Sequence, residues 1–137
     1  MVELRVGNEL DLDVVTDVYR DSTLGERRPV DDRERMRTML ANANLVVTAW
    51  DADAMVGIAR SLSDFAYATY LSDLAVRRSY QRRGVGKALI ARIQREGGAA
   101  RIILLAAPAA ADYYPRIGLR RHDSAWCLWP DEAVTAP

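Results

Sequence analysis

Apolar and polar side chains recur along this chain with two spacings, which predict strands and helices in turn. From Val2 to Gly7 apolar and charged residues alternate, as they do in a half-buried strand. From Leu10 to Tyr19 the apolar residues fall at helical spacing, and Asn8 is a candidate N-cap for that helix. A second helix is predicted from Asp32 to Ala41.

The middle of the chain has the pattern of a β-hairpin. Two apolar runs, Leu45 to Trp50 and Met55 to Leu62, are joined by the short polar segment 51–54. A further strand is predicted from Leu71 to Val76. These segments therefore predict consecutive strands of one sheet.

A strand, a helix and another strand follow in that order. The helix is predicted from about Gly84 to Glu96, and the pair Gly97-Gly98 ends it. Arg101 to Ala106 is a continuous apolar run, which predicts a strand buried on both faces in the sheet interior. A strand-helix-strand crossover makes the strand at 71–76 and the strand at 101–106 parallel.

The C-terminal part predicts one short helix and two more strands. Pro108 opens a helix from Ala109 to Arg116, and Gly118 ends it. Leu119 to His122 and Ala125 to Trp129 are predicted as two final strands. The chain shows no internal repeat or linker, so residues 1–137 are expected to form a single domain.

A glycine turn rich in cations joins the strand at 71–76 to the helix at 84–96. A helix start exposes unpaired N–H groups and the positive end of the helix dipole, which suits an anion such as phosphate. Gly84 and Gly86 let a diphosphate approach the main chain, and the cations are Arg82, Arg83 and Lys87. The pattern indicates a diphosphate cradle; the alternative is an ordinary turn with solvated arginines.

Two better-known phosphate loops do not fit this turn. A Walker loop needs glycine where this chain has Gln81, and Ser or Thr where it has Ala88. The dinucleotide fingerprint needs a third glycine at the position of Leu89. Neither class of nucleotide site is therefore expected.

Composition excludes several classes of partner. Lys and Arg number 19, as do Asp and Glu, so no global field favours nucleic acid or an anionic membrane. One cysteine permits no intrachain disulfide, and no apolar run or signal pattern directs the chain to a membrane, so a cytoplasmic location is expected. With one histidine and one cysteine, no metal site is expected.

The segment Gln81-Arg-Arg-Gly-Val-Gly86, directly after Leu71-Ser-Asp-Leu-Ala-Val76, resembles the acyl-CoA signature of the GNAT N-acetyltransferase superfamily. The order of predicted elements is similar to the GNAT fold over essentially the whole chain. The resemblance implies an α/β (α+β) fold, with a mixed central sheet of about six to seven strands flanked by about four helices. In that fold two parallel strands splay apart and form the acyl-CoA cleft.

The same resemblance implies an activity and a set of site residues. Acetyl-CoA is the expected co-substrate, and its acetyl group passes to a primary amine of a small molecule or peptide by direct attack. The residues expected to hold the cofactor are Leu74, Ala75, Val76, Gln81, Arg82, Arg83, Gly84, Val85, Gly86 and Lys87. Pro108 departs from the family, where many relatives have an asparagine that contacts the cofactor.

Ala111-Asp-Tyr-Tyr-Pro-Arg-Ile-Gly-Leu119 resembles the family pattern Phe-Tyr-x-x-x-Gly-Phe. The resemblance makes Tyr114 the acid that protonates the leaving thiolate, which a phenol with a pKa near 10 can do while neutral at pH 7. The alternative is an aromatic pair with Tyr113 that anchors the helix. Cys127 is expected to lie on the last strand, away from the cradle, so no covalent enzyme intermediate is expected.

The general base and the acceptor site stay open at this stage. Asp73 is either a base acting through water or a structural residue, and His122 is either a base or a solvated residue; water is the third candidate. Arg27 and Arg28 either attract a carboxylate on the acceptor or are solvated.

Two rival functions have the same fold: a non-catalytic CoA-binding or regulatory module, and an interaction domain. Trp126 and Trp129, with exposed edge strands, permit a homodimer.

Overall fold

The computed structural model of the protein describes residues 1–135. Its internal contacts fall into two units, Met1–Leu105 and the residues from Ala106 onward, which are described separately. None of the described helices is both long enough and apolar enough to cross a lipid bilayer.

The first unit contains a five-stranded sheet and three α-helices. The strands are β1 (Glu3–Val6), β2 (Leu45–Asp51), β3 (Ala54–Ser63), β4 (Ala68–Val76) and β5 (Arg101–Ile103). The helices are α1 (Leu12–Asp21), α2 (Arg33–Ala41) and α3 (Val85–Glu96). Short 3₁₀ helices form at Leu24–Arg27 and Arg78–Tyr80. The predicted hairpin and the helix after the glycine turn are confirmed.

The strands lie in the order β1-β2-β3-β4-β5. Successive strands pair antiparallel from β1 to β4, whereas β4 and β5 pair parallel. The predicted parallel pair is therefore confirmed, and the mixed α/β architecture agrees with the fold that the resemblance implies.

The core forms because the helices bury apolar stripes against the sheet. Val15, Val18 and Tyr19 of α1 are fully buried in a cluster with α2 and the strands. Leu89 of α3 is also fully buried, and a Cβ added at Gly57 of β3 would lie 3.1 Å from its Cδ1 atom. This glycine therefore lets α3 lie close to the sheet, which places the start of α3 beside the end of β4.

The second unit contains little regular structure. A 3₁₀ helix at Pro108–Ala110 precedes α4 (Tyr113–Arg116). The predicted strands Leu119–His122 and Ala125–Trp129 do not form, so the described sheet has five strands rather than the six to seven expected. A strand exists only when a neighbour pairs with its main chain, and the period-2 pattern of these residues does not supply that neighbour.

β5 is also shorter and more exposed than predicted. The strand covers Arg101–Ile103 instead of 101–106, and Ile103 and Leu105 are 42% and 50% exposed. Among the described strands β5 is the edge of the sheet, with β4 as its neighbour. A continuous apolar run was expected in the sheet interior, and that prediction was wrong.

Asn8 does not cap α1. Asp11 takes that role, because its carboxylate accepts hydrogen bonds from the N–H groups of Asp13 and Val14. The Asn8 side chain instead donates to the carbonyls of Leu40 and Ala43, at 3.2 and 2.8 Å, where α2 ends. Asparagine can satisfy orphan groups at either end of a helix, and sequence position alone did not decide which helix it serves.

Candidate active site

The central feature of the site is an unpaired edge of β4. Its parallel pairing with β5 covers residues 68–70 and then stops, although β4 continues to Val76. From Leu71 onward, the side of β4 away from β3 has no strand beside it within residues 1–135. The sheet therefore opens at this point, as the resemblance implies.

The ladder between β3 and β4 decides which main-chain groups face this opening. The Arg77 N–H donates to the Val56 carbonyl at 2.8 Å. Hydrogen-bonded pairs alternate along an antiparallel ladder, so Ala75 directs its main-chain groups to β3, whereas Leu74 and Val76 direct theirs to the opening. Of the three strand residues assigned to the cofactor, the structure thus places two at the free edge.

The glycine turn follows this edge directly. The φ angles of Arg82 and Gly84 are +62° and +80°, both in the left-handed region. Arginine rarely adopts that conformation, and such outliers concentrate at functional sites. Main-chain N–H groups around left-handed residues converge on a concavity that suits an anion.

The start of α3 adds more donors to the same turn. Gly84 is its N-cap and has no side chain to cap it, so the first N–H groups of the helix lack a side-chain partner. Val85 is buried and anchors the helix start, while Arg82, Arg83 and Lys87 are exposed. Within residues 1–135 none of these three cations takes part in an ion pair. The turn therefore presents unneutralised positive charge.

Hydrogen bonds hold the segment before the turn to α1 and β3. The Arg77 guanidinium contacts Asp17 of α1 at 2.8 Å and donates to the Met55 carbonyl at 2.7 Å. The main-chain N–H of Arg78 donates to the Asp21 carboxylate at 3.0 Å. Arg77 is thus a structural cation, unlike Arg82 and Arg83 within the turn.

A second set of contacts reaches the turn itself. The Gln81 side chain donates to the Val76 carbonyl at 3.0 Å, which closes the end of β4 onto the turn. The Tyr80 hydroxyl donates to Asp51, a bond that raises the pKa of Tyr80, and the Arg83 guanidinium lies 5.2 Å from the Tyr80 ring centroid. Gln81, assigned to the cofactor from sequence, therefore also shapes the site.

Beside the opening, a buried carboxylate collects four donors. Asp73 on β4 is 1% exposed. Its Oδ2 atom accepts from the Tyr19 hydroxyl at 2.6 Å and from Arg60 Nε at 2.5 Å. Its Oδ1 atom accepts from Arg28 Nε at 2.5 Å and from Ser72 Oγ at 3.2 Å. We call these five residues the Asp73 cluster.

The cluster sets the charge states of its members. Burial alone raises the pKa of Asp73, but the hydrogen bond and charge of Arg60, with bonds from Tyr19 and Arg28, outweigh it and leave that pKa lowered. Burial first and then the Asp73 charge raise the pKa of Tyr19. Asp73 therefore stays ionised and Tyr19 neutral at physiological pH.

This geometry answers one question that the sequence left open. A general base needs a free lone pair within reach of the proton that it accepts. The carboxylate of Asp73 is buried and surrounded by donors, so it has the structural role rather than that of the base. Arg28 is likewise occupied by a carboxylate of its own chain, while its neighbour Arg27 is exposed.

Tyr19 and Arg60 were not among the site residues predicted from the sequence. Arg60 lies within the apolar run from Met55 to Leu62, and a charge that such a run buries requires a partner. Asp73 on the next strand was the available partner, so that signal was present. Tyr19 carried no such signal, because it matches the apolar stripe of α1.

The second unit holds the predicted acid. Tyr113 and Tyr114 begin α4, with ring centroids 5.3 Å apart in an edge-to-face arrangement. Burial, and secondarily the neighbouring Tyr113, raises the pKa of Tyr114, so its phenol is protonated at neutral pH. The acid role of Tyr114 stays a prediction.

The other side chains singled out in the second unit are exposed. His122 Nδ1 accepts from the Ser124 N–H at 3.2 Å. Cys127 is a free, exposed thiol, and it does not lie on a strand. Trp126 and Trp129 are 90% and 63% exposed.

Comparisons with known proteins agree with this architecture. The acetyltransferase (GNAT) domain family matches residues 3–127. No curated protein sequence gives a significant match.

Solved structures share the fold at low sequence identity. A GNAT-family acetyltransferase of Streptococcus pneumoniae TIGR4 superposes with a TM-score of 0.79 and 22% identity, covering 97% of this chain and 100% of its own. The aminoglycoside N-acetyltransferase AAC(6')-Iy, solved with CoA, gives 0.72 and 18%, over 96% of this chain and 95% of its own. An aminoglycoside acetyltransferase from an uncultured soil metagenomic sample, solved with sisomicin, gives 0.67 and 20%, over 98% and 97%.

The family match covers nearly the whole chain, and the open β4 edge leads directly into the glycine turn at the start of α3. The chain belongs to the GNAT acetyltransferase family.

Proposed function

We propose that this protein is an acetyl-CoA-dependent N-acetyltransferase that acylates a primary amine of a small molecule or peptide by direct attack. The observation that carries the proposal is the free edge of β4, which runs without interruption into the cation-rich turn at the start of α3. Both parts of a CoA thioester, an amide-bearing arm and a diphosphate, have a counterpart along this path.

The chemistry of the donor set fits the cofactor. The main-chain groups of Leu74 and Val76 face the opening and can bond an extended amide chain as an added strand would. The N–H groups at the start of α3, with Arg82 and Lys87, supply the hydrogen bonds and charge that a diphosphate needs. A Cβ added at Gly84 would meet no atom within 4 Å, so the main chain there is accessible to it.

The reaction needs a polarised carbonyl and two proton transfers. A main-chain N–H on β4 polarises the thioester carbonyl. The amine nitrogen forms a bond to the carbonyl carbon, and the carbon–sulfur bond breaks. The proton lost by the amine goes to water, and Tyr114 gives its proton to the departing thiolate. Asp73 takes no part in these transfers.

Small-molecule amines are the first acceptors to test. Two of the structural neighbours are named as aminoglycoside acetyltransferases, and one was solved with sisomicin. A panel should therefore contain sisomicin, a linear polyamine and a peptide with a free N-terminus. Release of the CoA thiol reports turnover for all three without a change of assay.

The first experiment is a thermal melt with and without acetyl-CoA, on the parent and on Gly86→Glu. At about 100 times Kd a ligand stabilises by roughly 2.7 kcal/mol, which raises Tm by on the order of 5 to 10 °C. A glutamate at the first turn of α3 is favourable for the helix but repels a diphosphate. We expect Gly86→Glu to stay folded and to lose the shift.

Gln94→Glu is the matched control, because it adds the same charge at an exposed position near the other end of α3. It should keep the shift. No shift for the parent at saturating acetyl-CoA would refute the acetyltransferase proposal and favour an interaction domain. A shift without thiol release for any amine would favour a non-catalytic CoA-binding module.

Location and assembly complete the proposal. We infer a cytoplasmic protein, in line with its single cysteine. The exposed Trp126 and Trp129 are the residues that a homodimer would cover. Light scattering of the parent and of Trp126→Ser tests this: a dimer that dissociates in the variant supports it, and a monomeric parent refutes it.

A further inference from the structure

The Asp73 cluster joins separate parts of the chain at one point of β4. Its members come from α1, from the connection between α1 and α2, from β3 and from β4. The connection, residues 22–32, contributes Arg28, whose side chain is 23% exposed. Because the Arg28 side chain is largely buried and bonded to Asp73, it restrains the main chain of this connection.

The contact point is an irregularity in the strand. Arg60 pairs with Asp73 and Ser61 pairs with Leu71, so Ser72 of β4 is an extra residue without a partner on β3. Such a bulge bends the strand and redirects the residues that follow it. It therefore determines which main-chain groups of β4 reach the opening.

Side-chain hydrogen bonds stabilise this bulge, because the ladder bonds are interrupted there. The Ser72 carbonyl accepts from Arg28 Nη2 at 2.7 Å, while the Ser72 hydroxyl accepts from Arg60 Nη2 at 2.9 Å. Arg28 Nε bonds Asp73 on the next residue of the same strand. One planar guanidinium thus grips a main-chain carbonyl and the adjacent carboxylate, which an ammonium group cannot reproduce.

The bulge lies next to the reacting end of the proposed site. Leu74, which directs its main-chain groups to the opening, follows Asp73 directly. A small displacement of the bulge therefore moves the N–H that polarises the thioester carbonyl, whereas the diphosphate turn has its own attachments through Arg77 and Arg78.

We propose that Arg28 is a positioning residue that clamps the α1–α2 connection to the β4 bulge and so aligns the Leu74 main chain with the reacting carbonyl. The inference rests on the proposed function for its catalytic part. Arg28 touches neither the cofactor nor the amine in this proposal. Its effect reaches the reaction through Ser72 and Asp73.

Hydrogen–deuterium exchange tests the clamp without any substrate. In Arg28→Met we expect faster amide exchange in residues 22–32 and 71–76, and unchanged exchange in α3. Arg27→Met removes the exposed neighbouring arginine and should leave all three segments unchanged. Arg28→Lys keeps the charge beside Asp73, so its exchange rates should lie between those of the parent and of Arg28→Met. If Arg28→Met does not fold, Arg28→Lys takes its place in the comparison.

Steady-state kinetics on the same proteins test the positioning role. We expect kcat of Arg28→Met to fall on the order of 10- to 100-fold, with the acetyl-CoA Kd within about twofold, since the cradle has separate attachments. Arg28→Lys should recover part of kcat. A residue with a stabilising role alone would lower Tm and leave kcat of the folded protein unchanged.

The outcomes separate the two proposals. Unchanged exchange in residues 71–76 of Arg28→Met overturns the clamp, whatever the activity. Faster exchange with an unchanged kcat overturns the positioning role. A parent without acetyl-CoA-dependent thiol release refutes the proposed function and, with it, the catalytic part of this inference, while the exchange data still decide the clamp.

Discussion

Replacing Asp73 by asparagine tests the physical account of the site most directly. The substitution keeps the shape of the side chain, which has no exposed surface, and removes its charge. Arg60, whose side chain is 8% exposed, then loses the carboxylate that compensates its charge. The new amide also places two N–H donors among groups that are themselves donors.

The expected loss of stability is large. Removing one partner of a buried ion pair costs about 3–5 kcal/mol, because the other charge remains buried and unpaired. For a chain of this length that loss lowers Tm by on the order of 10 to 20 °C. Since domains are typically stable by about 5–15 kcal/mol, the variant should still fold at low temperature.

The loss of stability should also depend on pH, and the direction of the Asp73 pKa shift determines how. The net effect on Asp73 is a pKa lowered by folding, despite the opposing effect of burial. A carboxyl whose pKa is lowered by folding adds stability above its unfolded pKa, and that stability disappears as pH falls through the folded pKa. The Tm difference between parent and Asp73→Asn should therefore be constant from about pH 5 to 7 and shrink below about pH 4.

Thermal and urea unfolding at several pH values measure this difference. Asp31→Asn is the matched control, because Asp31 pairs with Arg20 at 2.8 Å but its side chain is 95% exposed. Exposed pairs contribute about 0–1 kcal/mol. If Asp73→Asn costs no more than the control, or its cost does not change with pH, the account of the Asp73 cluster is refuted.

Three further changes test other parts of the structure. Tyr114→Phe should lower kcat about 100-fold and leave the thermal shift with acetyl-CoA intact; unchanged turnover would show that the phenol is not the acid. Asn8→Ala removes a side chain that bonds the end of α2, and urea unfolding should show that the free energy of unfolding falls by about 1–2 kcal/mol. If Asp11→Ala, which removes the N-cap of α1, destabilises the protein and Asn8→Ala does not, the assignment of Asn8 to the end of α2 is contradicted. Tyr80→Phe breaks the bond to Asp51, so calorimetry should show a severalfold weaker acetyl-CoA affinity, and equal affinity would mean that this bond does not shape the turn.

Much of the fold was predictable because its signals are local. Two apolar runs joined by a short polar segment predicted the hairpin, helical spacing predicted α3, and the residues from Gln81 to Lys87 indicated the turn before α3. Each of these features depends on neighbours a few positions away, whose chemistry is visible in the sequence. The family resemblance rests on the same local stretch, and the domain match over residues 3–127 confirms it.

The predictions that failed concern partners distant in sequence. The run after Arg101 is apolar enough for a sheet interior, but a strand becomes interior only when strands pair on both sides, and β5 has β4 alone among the described residues. Asn8 has the chemistry of a cap, but the helix end that it meets lies more than 30 positions away in the chain. Pairing of this kind cannot be deduced from spacing.

The sequence by itself determined the hairpin, the helix after the glycine turn and the family, because each follows from residues adjacent in the chain. Only the tertiary structure decided the role of Asp73. It brings Tyr19, Arg28 and Arg60 around one buried carboxylate. Asp73, a candidate base in the sequence, is therefore a structural residue, and Arg28, a candidate ligand of the acceptor, is a structural cation. The reason is physical: a carboxylate accepts protons or holds a structure according to the donors that surround it, and those donors come from elements that meet only after folding.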